Sequence, residues 1–474
     1  MLTFPASAAS RRSGNQHVSA DAAIPASERR SPATMALLWI TMVTLFPTVL
    51  IGFEWFKQGI VLWQVIVCSL LSCIVLLVYT VPIAHLAAKT GKSYGQLNEF
   101  LFGKKTATAI SALLIVIFIG FYGLVALLLA DAIGSLFHTN VPSWAMAGVF
   151  ALLMALNNFF GFKGVANFAR FLAAPVIICW ILYTFMKAAP ICPTSVWSET
   201  GSQSFICALG TISSFVIGFA VWGNEADYWR YGKPRVGYAI WPLIIALGLG
   251  QVMFPVTGWM VARIFSITDF SAATAFMNYY SFGGVAIAGA IAFFASYFAS
   301  NDSNLFGSAT ALEALAGIRH RYAVALIAIL GAAMALAMSL LGVSKAVESM
   351  VSLNSVILPV ATLLVIAEWL LSTRGGARTF SRAGNSKAAV IALCAGITVG
   401  VATSGVLPGT AFMHIGIPWL QSWLLSLAIF VPMRLQEYCN QSLTVTIHIK
   451  DLEPSETAWL AAKVGFGERY IDRE

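Results

Sequence analysis

Apolar runs of about 20 residues, separated by short polar or charged stretches, recur along most of the chain. A run of that length crosses the roughly 30 Å hydrocarbon core of a bilayer as an α-helix. Twelve are expected, near 35–56, 60–88, 106–136, 144–161, 166–188, 205–224, 238–263, 281–303, 322–342, 349–371, 387–406 and 411–433. Two are interrupted. "FPTVLIGFEWF" (46–56) carries Pro47 inside the first run. "FVIGFAVWGNEADYWRYGKPR" (215–235) starts as a membrane helix and ends as a charged loop, with Gly218, Trp222, Gly223, Asn224, Glu225 and Asp227 between. A break frees backbone N–H and C=O groups that lipid cannot satisfy, so it survives only where it lines a cavity or lies within protein. The sixth run is therefore expected to unwind near Gly218 and line a site. Runs one and six would open the two halves of a five-plus-five arrangement and run in opposite directions. Inverted repeats with broken helices at corresponding positions have this pattern.

Composition agrees with a polytopic membrane protein. The chain is 59% hydrophobic and 10% charged, with a mean hydropathy of +0.81, against about 25% charged residues in soluble domains. The net charge of +8 follows topology. With the N-terminus inside, 24 of the 28 Lys and Arg residues fall in inner segments, and only Lys57, Lys187, Arg263 and Lys345 fall outside. That is the positive-inside bias, and it argues against a nucleic-acid footprint. Residues 1–34, rich in Ser, Ala and Arg, are expected to form a disordered cytoplasmic tail, and 435–474 a polar cytoplasmic tail whose "SLTVTIHIKDL" alternates like a short strand. The seven cysteines show no metal spacing; Cys192 and Cys207 flank an outer loop and are a candidate pair. The six histidines are scattered singly, which gives a metal or His-based catalytic site no support. No phosphate-binding GxxxxGK[ST] loop occurs, so ATP is not the expected driver.

Six motifs in order resemble the nucleobase:cation symporter-1 family, which transports cytosine, purines, hydantoins, allantoin and related vitamins. "ALLWITMVTLFPTVLIG" looks like its first helix, with Pro47-Thr48, and "TGKSYGQLNEFLFG" like its loop after helix two. "GFKGVANFARFLAAPVI" is similar to the start of its helix five, and "ADYWRYGKP" to its Asp-Tyr-x-Arg-aromatic signature after helix six. "FASNDSNLFGSATAL" resembles its helix-eight motif and "SLNSVILPVATLLVIAEWL" its tenth helix. The resemblance implies an all-α polytopic fold of 12 transmembrane helices. These form a 5+5 inverted-repeat, LeuT-like bundle, with repeats at 35–188 and 205–371 and two peripheral helices within 387–434.

The family's substrate lies between broken helices one and six and helices three and eight, sandwiched by aromatics. The helix-three aromatic falls on Phe121, and the helix-six aromatic on Phe219 with Trp222 as the alternate, next to Gly218. Aromatic faces stack on flat rings for about 0.5–1.5 kcal/mol beyond area burial. The helix-one amide position is Leu45 and the helix-three amide Val125, so neither can bond a polar base. Asn301, Asn304 or unwound backbone must supply those bonds, or the ligand is less polar than cytosine. For the coupling ion, the family's sodium site maps to the carbonyls of Thr41, Thr44 and Ser296 and to the hydroxyl positions Ala299 and Ser300. The lost hydroxyl at Ala299 leaves sodium and a proton as rivals, with Asp302 the titratable candidate. No other cofactor is implied.

Acids inside spans are functional candidates by default. Asp227 and Arg230 lie three apart on a helix and can pair, as an inner gate or structural clasp. Glu225 is the next proton candidate. Glu54 has Lys57 three residues on and reads as a surface pair, and Asn157 and Asn158 read as packing or capping groups. The expected function is secondary active uptake of a small planar nitrogen heterocycle with Na+ or H+. The rivals are an amino-acid transporter on the same fold and a transporter-like sensor without flux. A membrane enzyme would need clustered His, Asp or Cys.

Overall fold

The computed structural model describes residues 24–450 apart from 269, 375–384 and 408–415. Every described element is helical. The helices are α1 (Pro32–Val43), α2 (Phe46–Lys57), α3 (Leu62–Thr90), α4 (Tyr94–Phe137), α5 (Ser143–Met154), α6 (Gly161–Phe168) and α7 (Ala174–Ala188). There follow α8 (Phe205–Ala220), α9 (Glu225–Trp229), α10 (Gly237–Leu247), α11 (Phe254–Phe265) and α12 (Phe270–Phe282). The last are α13 (Ala286–Ala316), α14 (His320–Leu341), α15 (Val343–Arg374), α16 (Lys387–Thr403) and α17 (Pro418–Lys450). Short 3-10 turns occur at Ala26–Glu28 and Asn157–Phe160, and π-helical turns at Ala169–Ala173 and Gly248–Met253.

This is a multi-pass membrane protein. Among the described residues, six helices are long and apolar enough to cross a membrane, or up to eight if each strongly bent pair is one span. The pairs are α1 with α2, bent by 49°, and Ala272–Phe282 with α13, bent by 111°. The number falls below the twelve apolar runs because breaks shorten some runs and the fourth and fifth join across Ser143–Ile191. Outer faces carry large apolar side chains. Ile74 and Val78 on α3 are 57% and 71% exposed, and Leu340 on α14 is 83% exposed. Such faces mark contact with lipid in a chain of this composition. Inward, Trp39, Phe46, Tyr122, Trp229 and Trp259 are fully buried, and α13 packs along α4.

Two expectations for the tails are corrected. Residues 1–23 lie outside the described residues, but 24–34 are ordered. Ile24 is buried, and Ser31 caps α1 by accepting the Thr34 N–H at 3.2 Å. Arg29 Nη1 donates to the carbonyls of Ala88 (2.6 Å) and Gly232 (3.2 Å), and the Arg30 N–H donates to Tyr231 O at 2.7 Å. The segment is locally polar, but carbonyls left over at the end of α3 and in the turn after α9 hold it down. At the other end α17 continues to Lys450. The alternating stretch expected as a strand is thus helical over 442–450, and 451–474 lies outside the described residues. Extending an existing helix needs no new nucleus, whereas a strand needs a partner. Cys192 and Cys207 both remain thiols. Glu54 and Lys57 do sit together, 3.9 Å apart at the surface.

α17 is tied to α15 by a buried ion pair. Arg434 donates through Nε and Nη2 to both oxygens of Glu368, at 2.9 and 2.8 Å. Its Nη1 reaches Glu437 at 2.6 Å. Glu437 in turn accepts from Ala388 N–H and Ser386 Oγ at the start of α16. Removing one partner of a buried pair leaves an uncompensated charge. Glu368→Ala is expected to lower stability by about 3–5 kcal/mol, read as a fall in the midpoint of thermal unfolding in detergent. An unchanged midpoint would mean that α16 and α17 are held by apolar packing alone.

Candidate functional site: a closed cavity between two broken helices

The first break is set by Pro47. Proline has no N–H and its ring clashes with the carbonyl four residues back, here Val43. The helix stops at Val43, Thr44 and Leu45 run extended, and α2 restarts with proline in its first turn. The freed groups find side chains from other helices. Gln251 Nε2 donates to Val43 O at 2.6 Å. Ser296 Oγ accepts the Phe46 N–H at 3.2 Å and lies 3.4 Å from Thr44 O.

The second break falls at Val221–Asn224, not around Gly218. α8 stays helical to Ala220, Val221 is extended, and Gly223 turns the chain at φ 81°, a left-handed conformation that glycine adopts without strain. Gly218 has a packing role instead: a Cβ there would overlap the Val351 carbonyl on α15. Its carbonyl is nevertheless part of the break. Asn354 Nδ2 donates to Gly218 O at 2.8 Å and to Val221 O at 2.6 Å, and the Thr362 hydroxyl donates to Gly223 O. Glu225 Oε1 accepts the N–H groups of Trp222 (2.9 Å) and Gly223 (3.1 Å). Glu225 is thereby occupied as a clamp on the break, joined by Tyr79 Oη at 3.3 Å. Asn354 and Gln251 were missed by sequence reasoning. The only available signal was an amide inside an apolar run, and it does not say which carbonyl the amide serves.

Between the breaks lies one cavity. Leu45, Phe121, Val125, Phe219, Trp222 and Asn304 line it, joined by Met42 and Ser300. Phe219 stacks on Phe215 at 5.3 Å with 9° between the rings, and Trp222 packs on Trp39 at 5.8 Å. The cavity measures only about 10 Å³, room for at most one water. The walls are closed together in this conformation. Asn301 does not reach the cavity. Its Nδ2 is bound to Tyr122 O at 3.1 Å and Met154 Sδ at 2.9 Å, and its Oδ1 accepts from Asn304 at 3.1 Å.

Of the expected cation positions, two meet: Ser296 Oγ lies 3.4 Å from Thr44 O. Ser300 lines the cavity, and its carbonyl accepts from Ser303 Oγ at 2.5 Å. The Thr41 hydroxyl donates back to Leu38 O at 2.7 Å and the Thr44 hydroxyl to Ile40 O. Asp302, two residues beyond Ser300, points elsewhere. Asn157 and Asn158 donate to its two oxygens at 2.9 Å each. A hard cation needs several oxygen ligands in one shell. Position 299 supplies no hydroxyl to such a shell. Among the described residues no three His, Cys, Asp or Glu side chains gather to hold a metal either.

Asp227 and Arg230 are both buried, but the carboxylate's hydrogen bonds run to other groups. Oδ1 accepts the Tyr94 N–H at 2.8 Å and Oδ2 the Asn224 amide at 3.3 Å. An acid there complements the N-terminal dipole of α4, and it joins the "TGKSYG" and "ADYWRYG" motifs directly. Arg230 lies over the Tyr231 ring at 5.2 Å. A larger cavity of about 680 Å³ lies beside this region, with the stacked rings of Phe162 and Tyr231, 3.9 Å apart, in its wall. It carries charges from Glu28, Arg30, Lys163, Glu313 and Arg321 and suits water better than a desolvated ligand. The small cavity is the better site candidate because both breaks meet there.

Comparison with known proteins starts from shape. No family model matches the chain, and no curated protein matches it in sequence. Solved structures do. Mhp1, a nucleobase-cation-symport-1 family transporter in a closed conformation with bromovinylhydantoin bound, matches at TM-score 0.63 and 17% identity, over 86% of this chain and 93% of that one. Inward-facing Mhp1 matches at 0.65 and 16%, over 91% and 96%. A substrate-bound, outward-open Na+-coupled sialic acid symporter matches at 0.61 and 13%, over 86% and 90%. A manganese transporter of Eremococcus coleocola matches at 0.54 and 14%, over 85% and 93%.

Replacing Asn354 with alanine should strand two buried carbonyls at the second break, at about 1–3 kcal/mol for each unmatched group. Thermal unfolding should show the loss, and hydrogen exchange should rise at 217–225. A variant as stable and as protected as the wild type would mean that water serves those carbonyls. At these identities the likeness is one of architecture: the chain has the LeuT-like helical fold of these transporters.

Proposed function

We propose that the chain is a secondary active transporter that imports a small planar nitrogen heterocycle, such as cytosine, a purine, a hydantoin or a vitamin base, with Na+ or H+. The observation carrying this reading is the meeting of Leu45, Phe121, Val125, Phe219, Trp222 and Asn304 around one cavity between two broken helices. Twelve spans, with repeats at 35–188 and 205–371, two further helices and both termini cytoplasmic, complete the proposal. The positive-inside bias of Lys and Arg and the fold supply its support.

Phe121 and Phe219 or Trp222 would sandwich the ring. Asn304 and Ser300 are the polar side chains on the cavity wall, so two side-chain contacts orient the ligand and the rest of its surface meets carbon. With Asn301 committed to Tyr122 and Met154, a ring with few exposed polar groups fits best. An amino-acid substrate fits less well. Its carboxylate would seek the N–H groups at the second break, and Glu225 holds those of Trp222 and Gly223. In the closed cavity no ligand fits, so α2, α4 and α8 must part for loading, as alternating access requires.

The experiment is a binding screen of purified protein against cytosine, purines, hydantoin, allantoin and thiamine-like bases, with and without sodium and at two pH values. At least one flat heterocycle should bind, and reconstituted vesicles should accumulate it. Phe121→Ala, at unchanged expression, should weaken that binding about tenfold or more, the factor that 1.4 kcal/mol gives. Retained affinity would put the ligand elsewhere, and binding without accumulation would identify a sensor.

A further inference from the structure

In the wall of the larger cavity, one histidine ties three elements together. His320 is the first residue of α14 and is 6% exposed. Its Nε2 lies 3.0 Å from the carbonyl oxygen of Asn158, in the turn Asn157–Phe160. Its Nδ1 lies 3.3 Å from Glu313 Oε2, in the last turn of α13. A backbone carbonyl and a carboxylate only accept hydrogen bonds, and a neutral imidazole has one N–H to give. Both bonds form only when the pair holds one proton more than a neutral ring and a carboxylate have between them. Without that proton, a nitrogen lone pair faces an oxygen, and one of the two contacts turns repulsive. The helix ends do not help to hold it. A cation at the start of α14 and an anion at the end of α13 both oppose the local dipole. The contact depends on the proton.

We propose that His320 and Glu313 form a proton-operated latch that fixes the turn Asn157–Phe160 over Asp302, closed in acid and open in alkali. The same turn carries the amides that hold Asp302. Asn157 Nδ2 and Asn158 Nδ2 donate to its two carboxylate oxygens at 2.9 Å each, and Asn158 Nδ2 also lies 3.2 Å from its carbonyl. Asn158 thus gives its backbone oxygen to His320 and its side-chain amide to Asp302. Asp302 is fully buried, whereas Phe159 and Phe160 of the turn line the cavity. Releasing the turn draws both amides off the carboxylate, so one proton at the cavity wall governs the surroundings of an acid inside the bundle. Glu28, Arg30, Lys163, Arg230, Tyr231 and Arg321 share that wall with the pair. On the buried side, Tyr122 of α4 and Tyr228 of α9 lie near Asp302. Lysine, arginine, tyrosine and exposed carboxylates ordinarily keep one charge state between about pH 5 and 8, where histidine changes. Within that window the ring is the moving part. The latch does not depend on what the chain transports.

The test needs no substrate, so it stands apart from the binding screen. Hydrogen exchange of the purified full chain is read peptide by peptide and corrected for the intrinsic pH dependence of exchange. Between about pH 6 and about pH 8, the protection of 155–164 should fall about tenfold, which is about 1.4 kcal/mol. Protection of 70–80 on α3 should not follow it. Glu313→Gln offers the neutral ring an amide that can donate to Nδ1, so this variant should keep the protection of the closed latch at both pH values. His320→Ala removes the ring and should show the low protection at both. Equal protection of the wild type at the two pH values would overturn the proposal. So would a Glu313→Gln protein that keeps the wild-type pH response, because another group would then be titrating. A fall spread evenly over the chain would overturn it too, as general loosening. If His320→Ala fails to fold, the wild-type and Glu313→Gln arms still decide.

Discussion

A backbone group with no water near it must find a partner inside the protein, and each broken helix creates several that have lost theirs. Most of what is particular to this chain answers that constraint. At the first break Pro47 withdraws an N–H from Val43, and Gln251 and Ser296 come from other helices to the freed groups. At the second break Asn354, Thr362 and Glu225 divide the work, carbonyls to the amide and hydroxyl, N–H groups to the carboxylate. A buried orphan costs about 1–3 kcal/mol, so these polar residues are required wherever a helix stops inside the bundle. They are also the most demanding positions to change.

The same arithmetic reassigns the acids. Glu225, Asp227 and Asp302 are fully or almost fully buried, and each is held by donors of the fold: break N–H groups, the first N–H of α4, and two asparagine amides. A buried acid surrounded by its own donors serves architecture first. What remains for a ligand is a small set of aromatic and aliphatic walls with Asn304 and Ser300 on them. In this conformation the walls meet and leave about 10 Å³ between them.

The shared fold with Mhp1, a sialic acid symporter and a manganese transporter shows how little the scaffold says about cargo. A flat ring, a sugar acid and a metal ion are handled by bundles of one design. Identity of substrate is written in the side chains at the breaks. In this chain the side chains lining the cavity between the breaks are carbon-rich, with Asn304 and Ser300 the polar ones.

The sequence by itself determined the membrane setting and the two interrupted runs; the cavity-wall residues came from a resemblance to a family and not from any local pattern. The setting and the interruptions are local facts: a span is a matter of length and hydropathy, and Pro47 takes an N–H from its own helix. Tertiary structure decided the rest. Gly218 reads locally as a hinge, yet the backbone of α15 beside it makes it a packing residue, and the chain turns three to six residues later at Val221–Asn224. Asn301 is one position from Ser300, but helical rotation sends it to α4 and α5 while Ser300 and Asn304 face the cavity. Gln251 to Val43, Asn354 to Gly218, Asp302 to Asn157 and Arg29 to Ala88 join residues between 59 and 208 positions apart. No local pattern encodes which donor meets which orphan, because the pairing depends on how the helices pack in three dimensions.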